Sequence, residues 1–230
     1  IWVNSAEDLN SNGVLDAADC DGVDNDGNGF IDDVSGFDFV DGVVCPTMID
    51  PYGHGTHVAG TIGARANNAK GLAGIAPGVK LLNARALNGS NAGYSEDLAE
   101  AVLYAADHAD IISNSWASGG KYDRLITEAF AYAWAMQKLA VASAGNDDTG
   151  NHLDVELLTP ARLPEVLTVA ASDHANALAD FSFIGRRIDM VAPGVDVLST
   201  ISTYQGAPGA MGAANPSNLI GDATNGYYYI

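Results

Sequence analysis

Basic residues are scarce in this chain. Ten Lys and Arg stand against 29 Asp and Glu, a formal net charge of −19. No Lys or Arg precedes Arg65, whereas residues 1–50 hold twelve acidic side chains. Such a balance excludes nucleic acid and anionic membranes as expected partners, because both repel a strongly negative surface. No apolar run approaches bilayer length, so no segment reads as a membrane span. Cysteine is limited to Cys20 and Cys45. One disulfide between them suits an oxidising compartment; two free thiols are the alternative. The nucleotide-binding patterns are missing too. Gly71-Leu-Ala-Gly74 is not a three-glycine fingerprint, and Gly120-Lys121 is followed by Tyr122, with Ser115 where a P-loop needs its first glycine. There is no initiator methionine. Ile1-Trp-Val3 and Tyr227-Tyr-Tyr-Ile230 both interrupt patterns, so the chain is expected to be an internal piece of a longer polypeptide, and the lack of a leader carries no weight.

Apolar residues are plentiful, at 47% of 230, enough for one sizeable core. Residues 1–50 read as loop-rich. From His54 the pattern becomes regular. His54 to Ala64 reads as a buried helix of small residues, and Val79 to Leu87 as a strand. Ser95 caps a helix to about His108 with Leu98, Val102 and Ala105 on one face. Ala109 to Ser115 is a short strand. Asp123 caps a longer helix running through Leu125, Ile126, Ala129, Phe130 and Ala133. Leu139 to Ser143, Val166 to Ala171 and Ile188 to Val191 read as further strands, and Ser202 to Gly226 as an irregular surface loop. Strands alternating with helices predict an α/β fold with a mainly parallel central sheet and helices on both faces. Ligands of such sheets sit at the carboxyl ends of the strands.

The densest signal is Asp50-Pro-Tyr-Gly-His-Gly-Thr-His-Val-Ala-Gly60. His54 lies between two glycines, which removes side chains around its ring at a cost to the backbone. A histidine so placed is a catalytic base or a metal ligand. Paired zinc histidines on one helix are four apart with a glutamate between them; here the spacing is three. His57 reads as structural.

Four motifs in order identify a resemblance. Gly53-His-Gly-Thr-His-Val-Ala-Gly60, Asn114-Ser-Trp116, Ser143-Ala-Gly-Asn146 and Val191-Ala-Pro-Gly194 together resemble the subtilisin family of serine endopeptidases, its thermitase-like, calcium-rich members most. The resemblance implies a subtilisin-like fold and a secreted, monomeric hydrolase of polypeptides, with residues 1–230 forming one incomplete peptidase domain. It implies that His54 is the general base, that Asn146 donates to the oxyanion, and that an extended peptide lies between Ser115-Trp116-Ala117 and Asn91-Ala92-Gly93-Tyr94. The family commonly has glycine where Ala117 stands, so the added methyl is expected to disfavour large aromatic residues before the cleaved bond. Acyl transfer also needs a nucleophile and an orienting carboxylate. The family's Gly-Thr-Ser motif is absent from the 230 residues, and its aspartate is expected upstream of Ile1, so the chain alone is expected to be inactive.

The acidic segment has its own pattern. Asp8, Asn10, Asn12, Asp16 and Asp19 take positions 1, 3, 5, 9 and 12 of a calcium loop, with Gly13 at position 6. Asp24, Asp26, Asn28 and Asp32 repeat the spacing, with Gly29 at position 6 and Ser35 at position 12. A solvated Asp/Asn/Gly loop is the bland alternative. The resemblance adds calcium in loops before the histidine, and a further site near Asn67, Asn68 and Leu72. Two competing functions remain. A dockerin-like binding module accounts for only the first fifth of the chain. A non-catalytic homologue acting as a calcium-dependent binding protein differs from the protease in its nucleophile.

Overall fold

The alternation of apolar strands and helices after residue 95 is realised as a parallel sheet. The computed structural model describes residues 1–202, except 43, 46, 47, 120, 121 and 148, and the backbone of two short strands near the end. In chain order the elements are β1 (Gly36–Asp38), α1 (His54–Gly63), β2 (Asn83–Arg85), α2 (Ser95–His108), β3 (Ile111–Asn114), β4 (Ser118–Gly119), α3 (Arg124–Ala135), β5 (Leu139–Ser143), a 3-10 turn (Val155–Leu157), β6 (Leu158–Thr159), β7 (Val166–Ser172), β8 (Met190–Pro193), β9 (Leu198–Thr200), β10 (Leu219–Ile220) and β11 (Tyr227–Tyr229). Two compact units form. One comprises Ile1–Asp97 with Leu198–Tyr229, the other Leu98–Val197.

In the second unit β3, β5, β7 and β8 pair in that order, all parallel. Strand β5 is Leu-Ala-Val-Ala-Ser, and its buried positions are Ala140 and Ala142. Alanines on that face let α3 pack closely, burying Ile126, Ala129, Phe130 and Ala133. The spacing of those four is i, i+3, i+4, i+7, one helical stripe. Truncating a core aromatic such as Phe130 costs about 3–5 kcal/mol. The Asp123 side chain accepts from the Ile126 amide at 3.2 Å, capping α3. Two short strands, β4 and β6, pair antiparallel, Ser118 opposite Thr159.

In the first unit β1 pairs with β2 in parallel, Gly36 opposite Asn83. A Cβ on Gly36 would lie 1.9 Å from the Asn83 carbonyl oxygen, so only glycine fits. Phe30, Phe37 and Phe39 form a three-ring cluster, with centroids 5.0–5.7 Å apart. Cys20 and Cys45 are disulfide-bonded. Crosslinking residues 25 apart constrains the unfolded chain by about 3 kcal/mol. Strands β10, β11 and β9 make a small antiparallel sheet.

Several sequence expectations are corrected. The predicted strand Val79 to Leu87 contracts to β2, because only residues 83–85 lie opposite β1. The strand predicted from Ala109 starts at Ile111, since the Ala109 amide still bonds to the Ala105 carbonyl of α2. The strand predicted from Ile188 starts at Met190, because the Ile188 amide closes a turn onto Gly185. Only His57 and Gly60 of α1 are fully buried; Val58, Ala59 and Ile62 are half-buried. The loop predicted over Ser202 to Gly226 includes β10, and its residues 203–218 and 221–226 lie outside the described residues.

Candidate active site

His54 is the first residue of α1 and is half-buried. The helix begins on Gly53, whose φ of 95° is left-handed and whose missing side chain leaves the helix without an ordinary N-cap. Asp50 supplies the cap instead. Its carboxylate accepts from the Gly53 amide at 2.7 Å, the Thr56 amide at 2.8 Å and the Thr56 hydroxyl at 2.7 Å. Burial pushes the His54 imidazole below the ordinary histidine value, the Asp50 charge opposes this, and His57 adds to it. His57 points into the interior at 4% exposure.

Asn146 leaves the end of β5 and is exposed. Gly145 before it has a φ of 98°, and a Cβ there would lie 2.4 Å from Leu158 Cδ1. Glycine is thus what allows the strand to turn outward over that packed contact. Beyond Asn146, the buried Asp147 pins the loop. It accepts from the Thr149 hydroxyl and amide and from the Leu153 amide, and the Thr149 hydroxyl bond above all holds its pKa down.

Residues 115–117 follow β3 outside any helix or strand, with Ser115 and Trp116 half-buried and Ala117 exposed. Trp116 packs against Phe130, ring centroids 6.1 Å apart. The Asn114 amide side chain donates to the Ile112 and Val141 carbonyls and so ties the end of β3 to β5. Because β3 and β5 are adjacent and parallel, residues 115–117 and Asn146 both emerge at their carboxyl ends. That edge is where open α/β sheets hold their ligands.

Residues 23–217 match the subtilase family model. This chain belongs to the subtilase family. A thermophilic serine proteinase of Bacillus sp. (strain AK1) is 39% identical over 169 residues, covering 74% of this subtilase and 40% of that relative. The major intracellular serine protease of Bacillus subtilis is 39% identical over 178 residues, 76% of this chain and 53% of its own. The crystal structure of a cold adapted subtilisin-like serine proteinase superposes with a TM-score of 0.67 at 27% identity, covering 91% of this chain and 65% of that one. The chain therefore spans about half or less of the curated relatives it matches. Its parallel sheet with flanking helices is the subtilisin-like α/β fold.

In this subtilase Asn91, Ala92, Gly93 and Tyr94 form an exposed loop ahead of α2. The Asn88 side chain accepts from the Ser90 and Ala92 amides, and Asn91 itself is left-handed. A Cβ on Gly93 would lie 2.2 Å from the Ala86 carbonyl oxygen, which fixes where the loop descends.

The acidic segment folds into successive Asx turns. In the first loop Asp8 accepts from the Asn12 and Gly13 amides, and the Asn10 and Asn12 amide groups donate to Asp16. Asp19 is fully buried, its two oxygens holding the Leu9 and Asp16 amides. In the second loop Asp24 accepts from the Gly27, Asn28 and Gly29 amides, the Gly29 bond first among the causes that lower its pKa. Asp32 turns back to the Gly22 amide.

Glu7, Asp26 and Asp33 bring carboxylate oxygens within 4.8 Å of one another. Glu7 and Asp33 are fully buried. Burial pushes the Glu7 carboxyl up, and the charges of Asp33 and Asp26 push the same way against amide bonds from Asn25 and Asp26. Asn4 donates to both Asp26 and Asp33. A close set of carboxylate oxygens is the donor chemistry of a hard divalent cation. Of the three, the loop spacing picks out Asp26 alone. Glu7 and Asp33 stand one residue outside the periodic positions, where no spacing rule points. Asp50 and Asp147 are likewise missed, although each precedes a threonine by a short interval that suits local capping.

Proposed function

We propose that this subtilase is the central part of a serine endopeptidase that hydrolyses peptide bonds by Ser-His-Asp acyl transfer. In this reading His54 takes the proton of a serine hydroxyl as that oxygen attacks the substrate carbonyl, and returns it to the leaving amine. Asn146 donates to the carbonyl oxygen as it gains negative charge. Ser115, Trp116 and Ala117, and Asn91 to Tyr94, are the residues proposed to bind the peptide. The 230 residues form one incomplete peptidase domain and supply neither nucleophile nor orienting carboxylate. The observation that carries the reading is the outward turn of Asn146 beside residues 115–117 at the carboxyl edge of the sheet. The test is serine-directed fluorophosphonate labelling. The full-length translated protein labels and the 230-residue chain does not. A full-length protein that resists labelling is instead a non-catalytic subtilase acting as a binding protein.

The pocket beyond Ala117 sets preference in this reading. Ala117→Gly in the full-length protein raises cleavage after Phe relative to Leu by about tenfold, the scale of one methylene in an apolar pocket. An unchanged Phe-to-Leu ratio in paired peptide substrates overturns it.

Calcium is the cofactor that fits the acidic segment. Bound there, it supplies charge neutralisation and crosslinking, not chemistry at the scissile bond. Asp8, Asn10, Asn12, Asp16 and Asp19 are proposed to hold one ion, and Asp24, Asp26, Asn28 and Asp32, reinforced by Glu7 and Asp33, another. The loop Arg65–Ala73, which curls around a small pocket of its own, is a further candidate through Asn67, Asn68 and Leu72. At a calcium concentration 100 times the dissociation constant, linkage stabilises by about 2.7 kcal/mol. Chelation is expected to lower Tm by about 5–10 °C in a chain of this size and to open residues 8–35 to proteolysis. A Tm indifferent to chelator removes calcium from the account. The Cys20–Cys45 disulfide supports secretion, since such bonds persist in oxidising compartments. Among the described residues no helix is long and apolar enough to cross a membrane. Polypeptide substrates follow from the family; a monomer is proposed.

A further inference from the structure

The first turn of α1 is held from outside by more than its own ladder. Asp50 caps the Gly53 and Thr56 amides as described, reaching from four residues before His54 the amide that an N-cap side chain normally serves. The other side of the turn is held by three hydroxyls from a segment more than 140 residues downstream. Ser199 Oγ donates to the His57 carbonyl at 2.6 Å, Thr200 Oγ1 to the Thr56 carbonyl at 2.7 Å, and Ser202 Oγ to the Asp50 carbonyl at 2.7 Å. Gly60 leaves room for this approach. A Cβ there would lie 2.1 Å from Thr200 Oγ1 and 2.6 Å from Ser199 Oγ.

The hydrogen bonds enclose one short stretch of backbone, 50–57, with His54 at its centre. Carbonyls of a first helical turn already accept from amides one turn on, so the added hydroxyls do not rescue orphan groups. What they add is position: two successive peptide planes, at Thr56 and His57, are fixed against β9, and the turn before them is fixed through Asp50. A base must be held within a fraction of an ångström of the proton it takes, and small misplacements are costly in rate.

We propose that Asp50, Ser199, Thr200 and Ser202 form a positioning clamp that fixes the backbone carrying His54, with Asp50 also setting the charge that its imidazole meets. The clamp deepens the reading of His54 as the general base and rests on it. The charged and titratable groups bearing on the imidazole are Asp50 and His57. Replacing the Asp50 carboxylate by an amide therefore removes an anion that favours the protonated ring.

The test is NMR of the full-length translated protein, following histidine ring titration and amide hydrogen exchange. Asp50→Asn keeps the side-chain shape and one acceptor, and is expected to lower the His54 titration midpoint further. Asp50→Ala, Ser199→Ala and Thr200→Val are expected to speed amide exchange at residues 53–57 by about fivefold, the scale of one lost helix cap. If Asp50→Ala does not fold, Asp50→Asn and Thr200→Val still decide. A His54 midpoint unmoved by Asp50→Asn, with exchange unmoved by Thr200→Val, overturns the clamp. A separate measurement addresses the base. In the full-length enzyme, Asp50→Asn shifts the acidic limb of kcat/KM in the same direction as the NMR midpoint. An NMR shift without that kinetic shift keeps the clamp and overturns His54 as the base.

Discussion

Replacing His54 with alanine in the full-length translated protein is expected to lower kcat on a peptide substrate by about 10⁶-fold, a magnitude established on a subtilisin of this same family. Fluorophosphonate labelling falls with it, because without a base the serine hydroxyl is a weak nucleophile. Substrate binding is expected to change little, since a general base in the proposed role meets the substrate only as the proton moves. The pH dependence has a definite sign. Burial, more than any other cause, holds the imidazole below the ordinary histidine value of 6.5. The folded chain therefore binds fewer protons at His54 than the unfolded chain between that lowered value and 6.5. Its contribution to stability is complete above 6.5 and is lost as pH falls through the folded pKa. A ring titration of the 230-residue chain reads this directly. A midpoint at or above 6.5 contradicts it, and a His54→Ala enzyme retaining even a hundredth of its kcat removes His54 from the chemistry.

The second large effect belongs to Asn146. Asn146→Ala in the full-length protein is expected to lower kcat by about 10²–10³, equivalent to 2.7–4 kcal/mol, again a value known from a subtilisin. KM is expected to hold, because a donor in the proposed role is matched to an oxyanion rather than to a ground-state carbonyl. The exposure of Asn146 sharpens the interpretation. An exposed side chain at a strand end contributes little to folding, so an unchanged Tm is expected beside the lost rate. A fall in Tm with no fall in kcat assigns Asn146 to the turn that Gly145 makes. Titration of the rate loss against KM separates these outcomes in one set of measurements.

Much of the architecture was legible because its signals are local. Asp123 three residues before Ile126 is a cap whatever surrounds it, and the stripe Ile126, Ala129, Phe130, Ala133 needs only helical geometry. Strand β5 was legible to its last residue because small apolar residues run between polar ends. What escaped reading depends on distant partners. β1 and β2 are three residues each and exist only because they face one another, each pair 47 positions apart in sequence. β4 and β6 are two residues each, too short for any period. The site divides the same way. His54 and Asn146 sit in compact motifs that a reader meets whole. Asp50 gains its role from a glycine with no capping side chain, and the three hydroxyls that hold the same turn arrive from beyond residue 198. The acidic loops are the opposite case. Their spacing is conspicuous, while a carboxylate set among the described residues joins Asp26 to Glu7 and Asp33, which the spacing leaves out.

The disulfide between Cys20 and Cys45 makes residues 20–45 a covalent ring that encloses the second acidic loop and the three phenylalanines. Asx-turn loops offer exposed backbone to any protease that meets them. Any single cut inside the ring leaves both new ends attached. Such a nicked molecule keeps its aromatic cluster within reach of its own strand, migrates as one chain until reductant is added, and has lost a bond without losing a piece.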